Sequence, residues 1–286
     1  MDIILQIIVS GLLIGFVYSL IAIGLTLIYG VMDIVNFAHG AFLMLGMFTA
    51  YWLNQLFNFD PLLSLPISII AIYLLGWLSY KFVVNKVLNA PPVAQIFVTF
   101  GLMVFLENLA LFLWSPDFRI IKDTFVSGDF NIGEIMFNIP KLIAALGSVL
   151  ITGAIFWFMS KTRTGRALKA TAINRDAAKL MGINTDKMFA LAWGIGGGAV
   201  GAAGALLTNF YYIFPTVGAT FNLLAFVTVA LGGFGSIQGA LVAGLLIGII
   251  ENLAGVFIGP AFKYAVVFAI FILVIVIRPN GLMGGK

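Results

Sequence analysis

The chain has 286 residues, of which 62% are hydrophobic and 9% are charged, and its formal net charge at pH 7 is +4. A soluble globular domain usually has about 25% charged residues, so this composition excludes an ordinary soluble enzyme and predicts an all-α, polytopic transmembrane helical bundle. Because the chain has no cysteine and one histidine, we expect no disulfide, no metal centre and no Ser/His/Asp triad.

Nine apolar segments follow one another along the chain. Eight of them are predicted to be full crossings of the hydrocarbon core, which is about 30 Å thick, whereas the segment at 221–231 is short and either crosses or is re-entrant. The predicted segments are residues 3–29, 41–57, 62–84, 93–114, 141–160, 188–210, 221–231, 240–258 and 261–277.

Two glycine patterns predict close helix packing. Gly11 and Gly15 form a G-x-x-x-G pair in the first segment, and six glycines are concentrated in residues 188–210. Small residues allow helix backbones to approach closely within a membrane. Both segments are therefore predicted to lie against neighbouring helices.

Two polar, glycine-containing segments interrupt the apolar pattern. Residues 30–40 read GVMDIVNFAHG, and residues 232–239 read GGFGSIQG. Irregular backbone occurs at membrane depth only where it is buried in protein or lines a wet cavity. The first segment is therefore either a tight turn at the membrane surface or a break between half-helices, and paired breaks of this kind indicate a transport site.

A partial internal similarity connects the two breaks. Residues 39–41 (HGA) resemble residues 238–240 (QGA), since each follows a break and begins an apolar segment. Residues 107–110 and 251–254 both read ENLA. The two offsets differ, so a single duplication does not account for both similarities.

The breaks supply the candidate residues of a substrate path. Half-helix N-termini offer N–H donors to a carboxylate, and free carbonyls at half-helix C-termini accept from an ammonium group. Aromatic side chains beside the breaks would suit an aliphatic substrate. For His39, a structural role as a hydrogen-bond donor is the alternative to a role in binding substrate. The candidates are Asp33, Asn36, Phe37, His39, Gly40, Phe42, Ser236 and Gln238.

Two carboxylates, Glu107 and Glu251, lie inside apolar segments. A charged side chain at this depth is costly unless it faces a polar interior or a partner. Each glutamate is followed by an asparagine that could share its hydrogen bonds. A role in the pathway or in gating, and a purely structural hydrogen bond, both remain open for these residues.

Residues 161–187 form the one long polar interval, with seven of the fifteen Lys and Arg residues and two acids. Within it, residues 174–183 (NRDAAKLMGI) predict a short helix. Asn174 can cap its N-terminus, Asp176 favours the first turn, and Gly182 can adopt the left-handed conformation after the last turn. A basic retention signal is the alternative interpretation.

The distribution of charge predicts an orientation. Short cytoplasmic loops are enriched in Lys and Arg, so the net charge of the chain indicates orientation in a membrane and not nucleic-acid binding. The interval 115–138 has four acids and two bases and is predicted to be periplasmic. If 221–231 crosses fully, the N-terminus lies outside and the C-terminus inside. The predicted cytoplasmic segments contain Lys81 and Lys86, residues 161–187, and Arg278 and Lys286.

Three motifs in this order resemble those of a known family. Residues 36–40 (NFAHG), followed by Ala41, Phe42 and Gly46, closely resemble the signature of branched-chain amino-acid ABC transporter permeases of the LivH type. Residues 176–182 resemble the Glu-Ala-Ala-x-x-x-Gly loop of ABC importer permeases, with Asp in place of Glu and without the Ile-x-Leu-Pro ending. The third motif is the break at 232–239.

The resemblance implies one permease domain over residues 1–286, in the bacterial inner membrane, with a cytoplasmic ATPase-coupling loop at 161–187. It implies transport of leucine, isoleucine and valine. The implied partners are a homologous second permease subunit, two cytoplasmic ABC ATPase subunits, a periplasmic amino-acid-binding protein and the lipid bilayer. The implied ATPase-coupling residues are Asn174, Arg175, Asp176, Ala177, Ala178, Lys179, Leu180, Met181, Gly182 and Ile183.

The chain has no G-x-x-x-x-G-K-[ST] sequence, so ATP and Mg²⁺ are expected on the partner ATPase subunits and the chain is not expected to be an enzyme. Other substrates within the family, such as urea or short amides, remain open. A different class, a stand-alone secondary transporter, would use Glu107 and Glu251 as proton or ion sites.

Overall fold

The apolar segments form helices that pack into one bundle in the computed structural model, which describes residues 2–122, 124–133 and 135–284. Asp123, Glu134 and Lys286, which contribute to the charge pattern above, lie outside the described residues. The helices are α1 (Asp2–Met32), α2 (His39–Phe57), α3 (Pro61–Phe82), α4 (Pro92–Trp114), α5 (Ile139–Lys161), α6 (Arg163–Ile173), α7 (Arg175–Leu180), α8 (Thr185–Leu207), α9 (Val217–Gly232), α10 (Ile237–Phe257) and α11 (Lys263–Ile277), with a 3₁₀ turn at Val84–Val87.

The structure confirms a polytopic helical bundle but not the predicted number of spans. Within the described residues, six segments are long and apolar enough to cross a membrane, and α9 and α11 are shorter apolar helices. α11 has only 15 residues. α2 carries His39, Asn54 and Gln55 and is less apolar. The six segments are Ile3–Met32, Pro61–Val87, Pro92–Trp114, Ile139–Lys161, Thr185–Leu207 and Ile237–Phe257.

The acidic interval contains a β-hairpin, so the all-α prediction is wrong for this segment. Strand β1 (Asp129–Ile132) pairs antiparallel with β2 (Ile135–Asn138). Its strands have four residues each, too few for a clear alternating pattern in the sequence. Gln6 of α1 holds the hairpin, because its Nε2 donates to the Met136 carbonyl at 2.7 Å and its Oε1 accepts from the Met136 N–H at 2.8 Å.

The glycine-rich helix α8 lies at the centre of the bundle, against α1, α2 and α3. A Cβ placed on Gly196 would lie 2.7 Å from the carbonyl oxygen of Gly24, and one on Gly204 would lie 2.5 Å from that of Leu43. Side chains larger than hydrogen would therefore push the neighbouring helices away. The predicted buried glycine face is confirmed.

The G-x-x-x-G pair of α1 packs against α10. A Cβ on Gly11 would lie 2.7 Å from the Cα of Ile249, and one on Gly15 would lie 2.9 Å from the Cα of Leu245. The contacts run in opposite directions along the two helices, so α1 and α10 are antiparallel. The predicted close packing of this pair is confirmed.

The bundle has two ends of different charge. We call the end that contains Lys81, Arg278 and helices α6 and α7 the basic end, and the end that contains the β-hairpin the acidic end. At the basic end the Tyr80 hydroxyl donates to Asp186 at 2.5 Å. The Leu282 N–H donates to the Leu231 carbonyl at 2.8 Å, so the C-terminal segment also lies there. Which end faces the cytoplasm stays a prediction from charge.

Candidate functional site

The segment between α1 and α2 returns the chain to the interior of the bundle. α1 ends at Met32, Asp33 has a φ of 57°, and α2 begins at His39. The fully buried His39 places Nε2 2.9 Å from the carbonyl oxygen of Ile21, about 16 Å back along α1 at ~1.5 Å per residue. The segment is therefore a break at which a helix starts inside the bundle, and not a surface turn.

Two polar atoms at this break have no hydrogen-bond partner among the described residues. They are Nδ2 of Asn36 and Nδ1 of His39, and both side chains are fully buried. The amide oxygen of Asn36 does have a partner, because Oδ1 accepts from the Ala38 N–H at 3.0 Å. A buried polar group without a partner costs about 1–3 kcal/mol. These atoms are thus suited to hydrogen-bond a ligand or a water molecule.

A second helix begins at the same place. Asn222 of α9 accepts from the Gly40 N–H through Oδ1 at 3.1 Å and donates through Nδ2 to the Phe37 carbonyl at 2.9 Å. A Cβ on Gly40 would overlap the carbonyl oxygen of Gly218, and the reverse is also true. The N-terminal turns of α2 and α9 therefore meet inside the protein, with the positive ends of their dipoles adjacent.

Asn222 and the start of α9 were not among the predicted site residues, because the sequence similarity paired the first break with residues 238–240. The structure instead places Gly40 against Gly218. The two helix starts share the dipeptide Gly-Ala, at residues 40–41 and 218–219, which is too common in this chain to have identified the pair.

The second break does not join this interior site. Ser236 caps α10 by accepting from the Gly239 N–H at 3.0 Å, and Gln238 is exposed. The Met283 N–H donates to the Gly232 carbonyl at 3.0 Å, which places the turn at the basic end. Ser236 and Gln238 are therefore separated from the buried Asn36 and His39.

The remaining candidates of the first break have different surroundings. Asp33 is exposed and lines a cleft at the basic end together with Arg175. The ring of Phe37 is half-buried, with its centroid 5.2 Å from that of Phe226. Phe42 is fully buried. Only part of the predicted set thus shares the interior site.

Glu251 is held by residues from two other helices. Lys263 of α11 places Nζ 2.5 Å from Oε1, and the hydroxyl of Tyr18 on α1 donates to Oε2 at 2.6 Å. Asn252 does not share this carboxylate, contrary to expectation, and donates to the Gly248 carbonyl at 2.9 Å. The reason is geometric, because consecutive helix residues do not face each other.

Glu107 has a different setting on α4. Its side chain is half-buried, and the neighbouring Asn108 donates to the Val104 carbonyl at 2.8 Å instead of to Glu107. The buried fraction of α4 is the smallest of the six long apolar segments. The two intramembrane carboxylates are therefore not equivalent.

The polar interval forms two helices, of which only α7 was predicted. α6 packs against α5, and a Cβ on Gly165 would lie 2.6 Å from the Cα of Met159. α7 has the predicted ends, since Asn174 accepts from the Ala177 N–H at 2.9 Å and Gly182 has a φ of 80°. The predicted short helix is confirmed.

The apolar side chains of this short helix are largely uncovered. Leu180 is 89% exposed and Met181 is 82% exposed, whereas Ala178 is buried against the bundle. The guanidinium of Arg175 lies 5.1 Å from the ring centroid of Phe189 on α8. α7 is therefore tied to the bundle on one side and presents an apolar surface on the other.

Comparison with known proteins gives a family match along almost the whole chain. Residues 7–276 match a family described as branched-chain amino acid transport system / permease component. The chain is 30% identical to the high-affinity branched-chain amino acid transport system permease protein BraD of Pseudomonas aeruginosa, over 98% of this chain and 95% of that protein.

Two further relatives are named LivH. The chain is 32% identical to the high-affinity branched-chain amino acid transport system permease protein LivH of Escherichia coli, again over 98% and 95% of the two chains. It is 29% identical to a probable branched-chain amino acid transport permease protein LivH of Methanocaldococcus jannaschii, over 93% and 88%. No solved structure matches the chain.

Proposed function

Since this chain belongs to the family of branched-chain amino acid transport permeases, we propose that it is the membrane-spanning subunit of an ATP-driven importer for leucine, isoleucine and valine. It is a multi-pass helical membrane protein and a transport component, not an enzyme. In the proposal it lies in the bacterial inner membrane and pairs with a homologous permease. Two cytoplasmic ABC ATPase subunits bind ATP and Mg²⁺, and a periplasmic binding protein delivers the amino acid.

The observation that carries the proposal is the exposed apolar pair on α7. Leu180 and Met181 are almost fully exposed at the basic end, next to Lys179. Exposed large apolar side chains that cluster mark a contact with a protein or a membrane, and we propose a protein partner here. The basic end is the cytoplasmic one by the distribution of Lys and Arg. This is the side on which an ATPase subunit would bind.

The contacts of α6 and α7 would transmit movement to the bundle. α6 is fixed to α5 at Gly165, and Arg175 of α7 lies over Phe189 of α8. α8 in turn packs closely on α1, α2 and α3. A displacement of α7 by a partner would therefore act on the central helix, and not only on a loop.

The test measures assembly and transport separately. Leu180→Gln and Met181→Gln, made singly and together, are co-expressed with the partner subunits and reconstituted in vesicles. We expect loss of ATP-driven leucine uptake, together with weaker co-purification of the ATPase. Met283→Gln is the matched control, because Met283 is an exposed methionine at the same end of the bundle. Leu180→Met keeps the apolar surface and should retain uptake.

Two outcomes would overturn the proposal. The first is full ATP-driven uptake by the double glutamine variant. The second is gradient-driven uptake by vesicles that contain this chain alone, which is the behaviour of a stand-alone secondary transporter. A complex that transports urea or a short amide in preference to leucine would keep the mechanism and change the substrate.

A further inference from the structure

A charged cleft lies at the acidic end of the bundle. It has a volume of about 250 Å³ and lies between α1, α10, the start of α5 and the start of α11. A water molecule occupies about 30 Å³, so the cleft has room for about eight waters. A leucine molecule has a similar number of non-hydrogen atoms, so the cleft is large enough to hold one leucine. The lining of the cleft includes Ile14, Tyr18, Lys141, Tyr211, Glu251 and Lys263.

The lining of this cleft has a net positive charge. Among its lining residues, two lysines, Lys141 and Lys263, stand against one carboxylate, Glu251. Lys263 and Glu251 form an ion pair at 2.5 Å, so these two charges compensate each other. The charge of Lys141 remains as the net charge of the lining. An ammonium group at a partly dehydrated site attracts a carboxylate.

The inner side of the cleft adjoins the site where α2 and α9 begin. The ring centroid of Tyr18 lies 6.3 Å from that of Phe221, and the ring centroid of Tyr211 lies 5.1 Å from it. Phe221 directly precedes Asn222, which binds the backbone of residues 37 and 40. The aromatic group Tyr18, Tyr211 and Phe221 therefore separates the cleft from the buried break.

We propose that this cleft is the first site of the permease for the free amino acid, on the side from which the substrate arrives. Lys141 binds the α-carboxylate, and Ile14 provides an apolar wall for the aliphatic side chain, while Glu251 stays paired with Lys263 and Tyr18. The ion pair between Lys263 and Glu251 fixes one wall of the cleft. This inference rests on the proposed function, which supplies the class of substrate and the direction of transport.

The experiment labels the site directly. The importer complex, purified with its partner subunits and placed in lipid nanodiscs, is irradiated with a diazirine analogue of leucine in the absence of binding protein. We expect labelled peptides that contain Tyr211 or Asn252. Leucine should compete for this labelling, and leucinamide, which lacks the carboxylate, should compete weakly.

Variants test the role of the lysine. Lys141→Gln should reduce labelling by about tenfold, the loss expected when one hydrogen bond to a charged group is removed. Lys141→Arg should keep most of it. Lys122→Gln is the matched control, because Lys122 is an exposed lysine of the neighbouring acidic interval and its loss changes the net charge equally. The melting temperature of each variant reports whether the fold is intact.

Four outcomes would overturn the site. One is unchanged labelling of a folded Lys141→Gln variant, and another is equal competition by leucine and leucinamide. The third is suppression of labelling when anionic phosphatidylglycerol replaces zwitterionic phosphatidylcholine, which would assign the cleft to an anionic lipid headgroup. ATP-driven leucine uptake is measured on the same preparation. The fourth outcome, normal uptake without cleft labelling, would reject the site alone, whereas cleft labelling without ATP-driven uptake would reject the proposed function.

Discussion

Gly40 and Gly218 lie backbone to backbone at the point where α2 and α9 begin, and a Cβ on either would overlap the carbonyl oxygen of the other. The contact brings two helix N-termini together inside the bundle. One side chain, Asn222, then satisfies backbone groups on both sides of the first break. The interior site therefore depends on the absence of side chains at two positions that are far apart in the sequence.

Gly40→Ala and Gly218→Ala should each destabilise the protein, because the added methyl group would meet backbone atoms that cannot move independently. Overpacking of this kind costs about 1–3 kcal/mol. The measurement is the melting temperature in detergent. Gly153→Ala on α5 is the control, because no atom lies within 4 Å of its Cβ position. Equal melting temperatures for Gly40→Ala and Gly153→Ala would contradict the packing described here.

Asn222→Leu should lower stability through lost hydrogen bonds, because leucine keeps the same branched arrangement of side-chain heavy atoms but can neither donate nor accept. The Gly40 N–H and the Phe37 carbonyl would both lose their Asn222 partner. Each buried group left unsatisfied costs about 1–3 kcal/mol. Asn108→Leu makes the same change on the exposed side of α4, where the asparagine bonds only to its own helix. A melting temperature for Asn222→Leu as high as that of Asn108→Leu would refute this role.

Lys263→Met should destabilise the protein more than the double variant Glu251→Gln/Lys263→Met. The single change leaves the buried Glu251 carboxylate without its cation, and because the Lys263 side chain is 31% exposed, the cost lies below the value of about 3–5 kcal/mol for a fully buried pair. The double change removes both charges and retains the hydrogen bond from Tyr18. We would measure the free energy of unfolding in detergent for the wild type, both single variants and the double variant. These four values form a double-mutant cycle. Additive effects would show that the two side chains do not interact.

The two ends of the bundle should be labelled from opposite sides of the membrane. The chain has no native cysteine, so single-cysteine variants can be used without a background. A membrane-impermeant maleimide added to intact spheroplasts should label Ser127→Cys in the acidic interval and leave Lys179→Cys on α7 unlabelled. After lysis, both should react. The reverse pattern would invert the orientation that the Lys and Arg residues predict.

Local features of the chain could be predicted from the sequence alone. The ends of α7 follow from Asn174 and Gly182, whose preferences for capping and for positive φ are properties of single residues. An interruption before His39 follows from polar residues between apolar runs, although the sequence left open whether it is a surface turn or a break inside the bundle. By contrast, the β-hairpin at Asp129–Asn138 was missed because its strands are short. α6 was missed because charged residues alone do not distinguish a helix from a loop.

Hydropathy, capping and charge act over one to a few helical turns, so these properties are enough to predict a polytopic helical membrane protein with a basic end. The three-dimensional packing of the helices was needed to show that Gly40 meets Gly218, that Asn222 joins the two helix starts, and that Glu251 is bound by Tyr18 and Lys263. Tyr18 and Glu251 are 233 positions apart. Contacts of this kind depend on how helices pack across the bundle, and no local pattern in the chain encodes which distant residues come together.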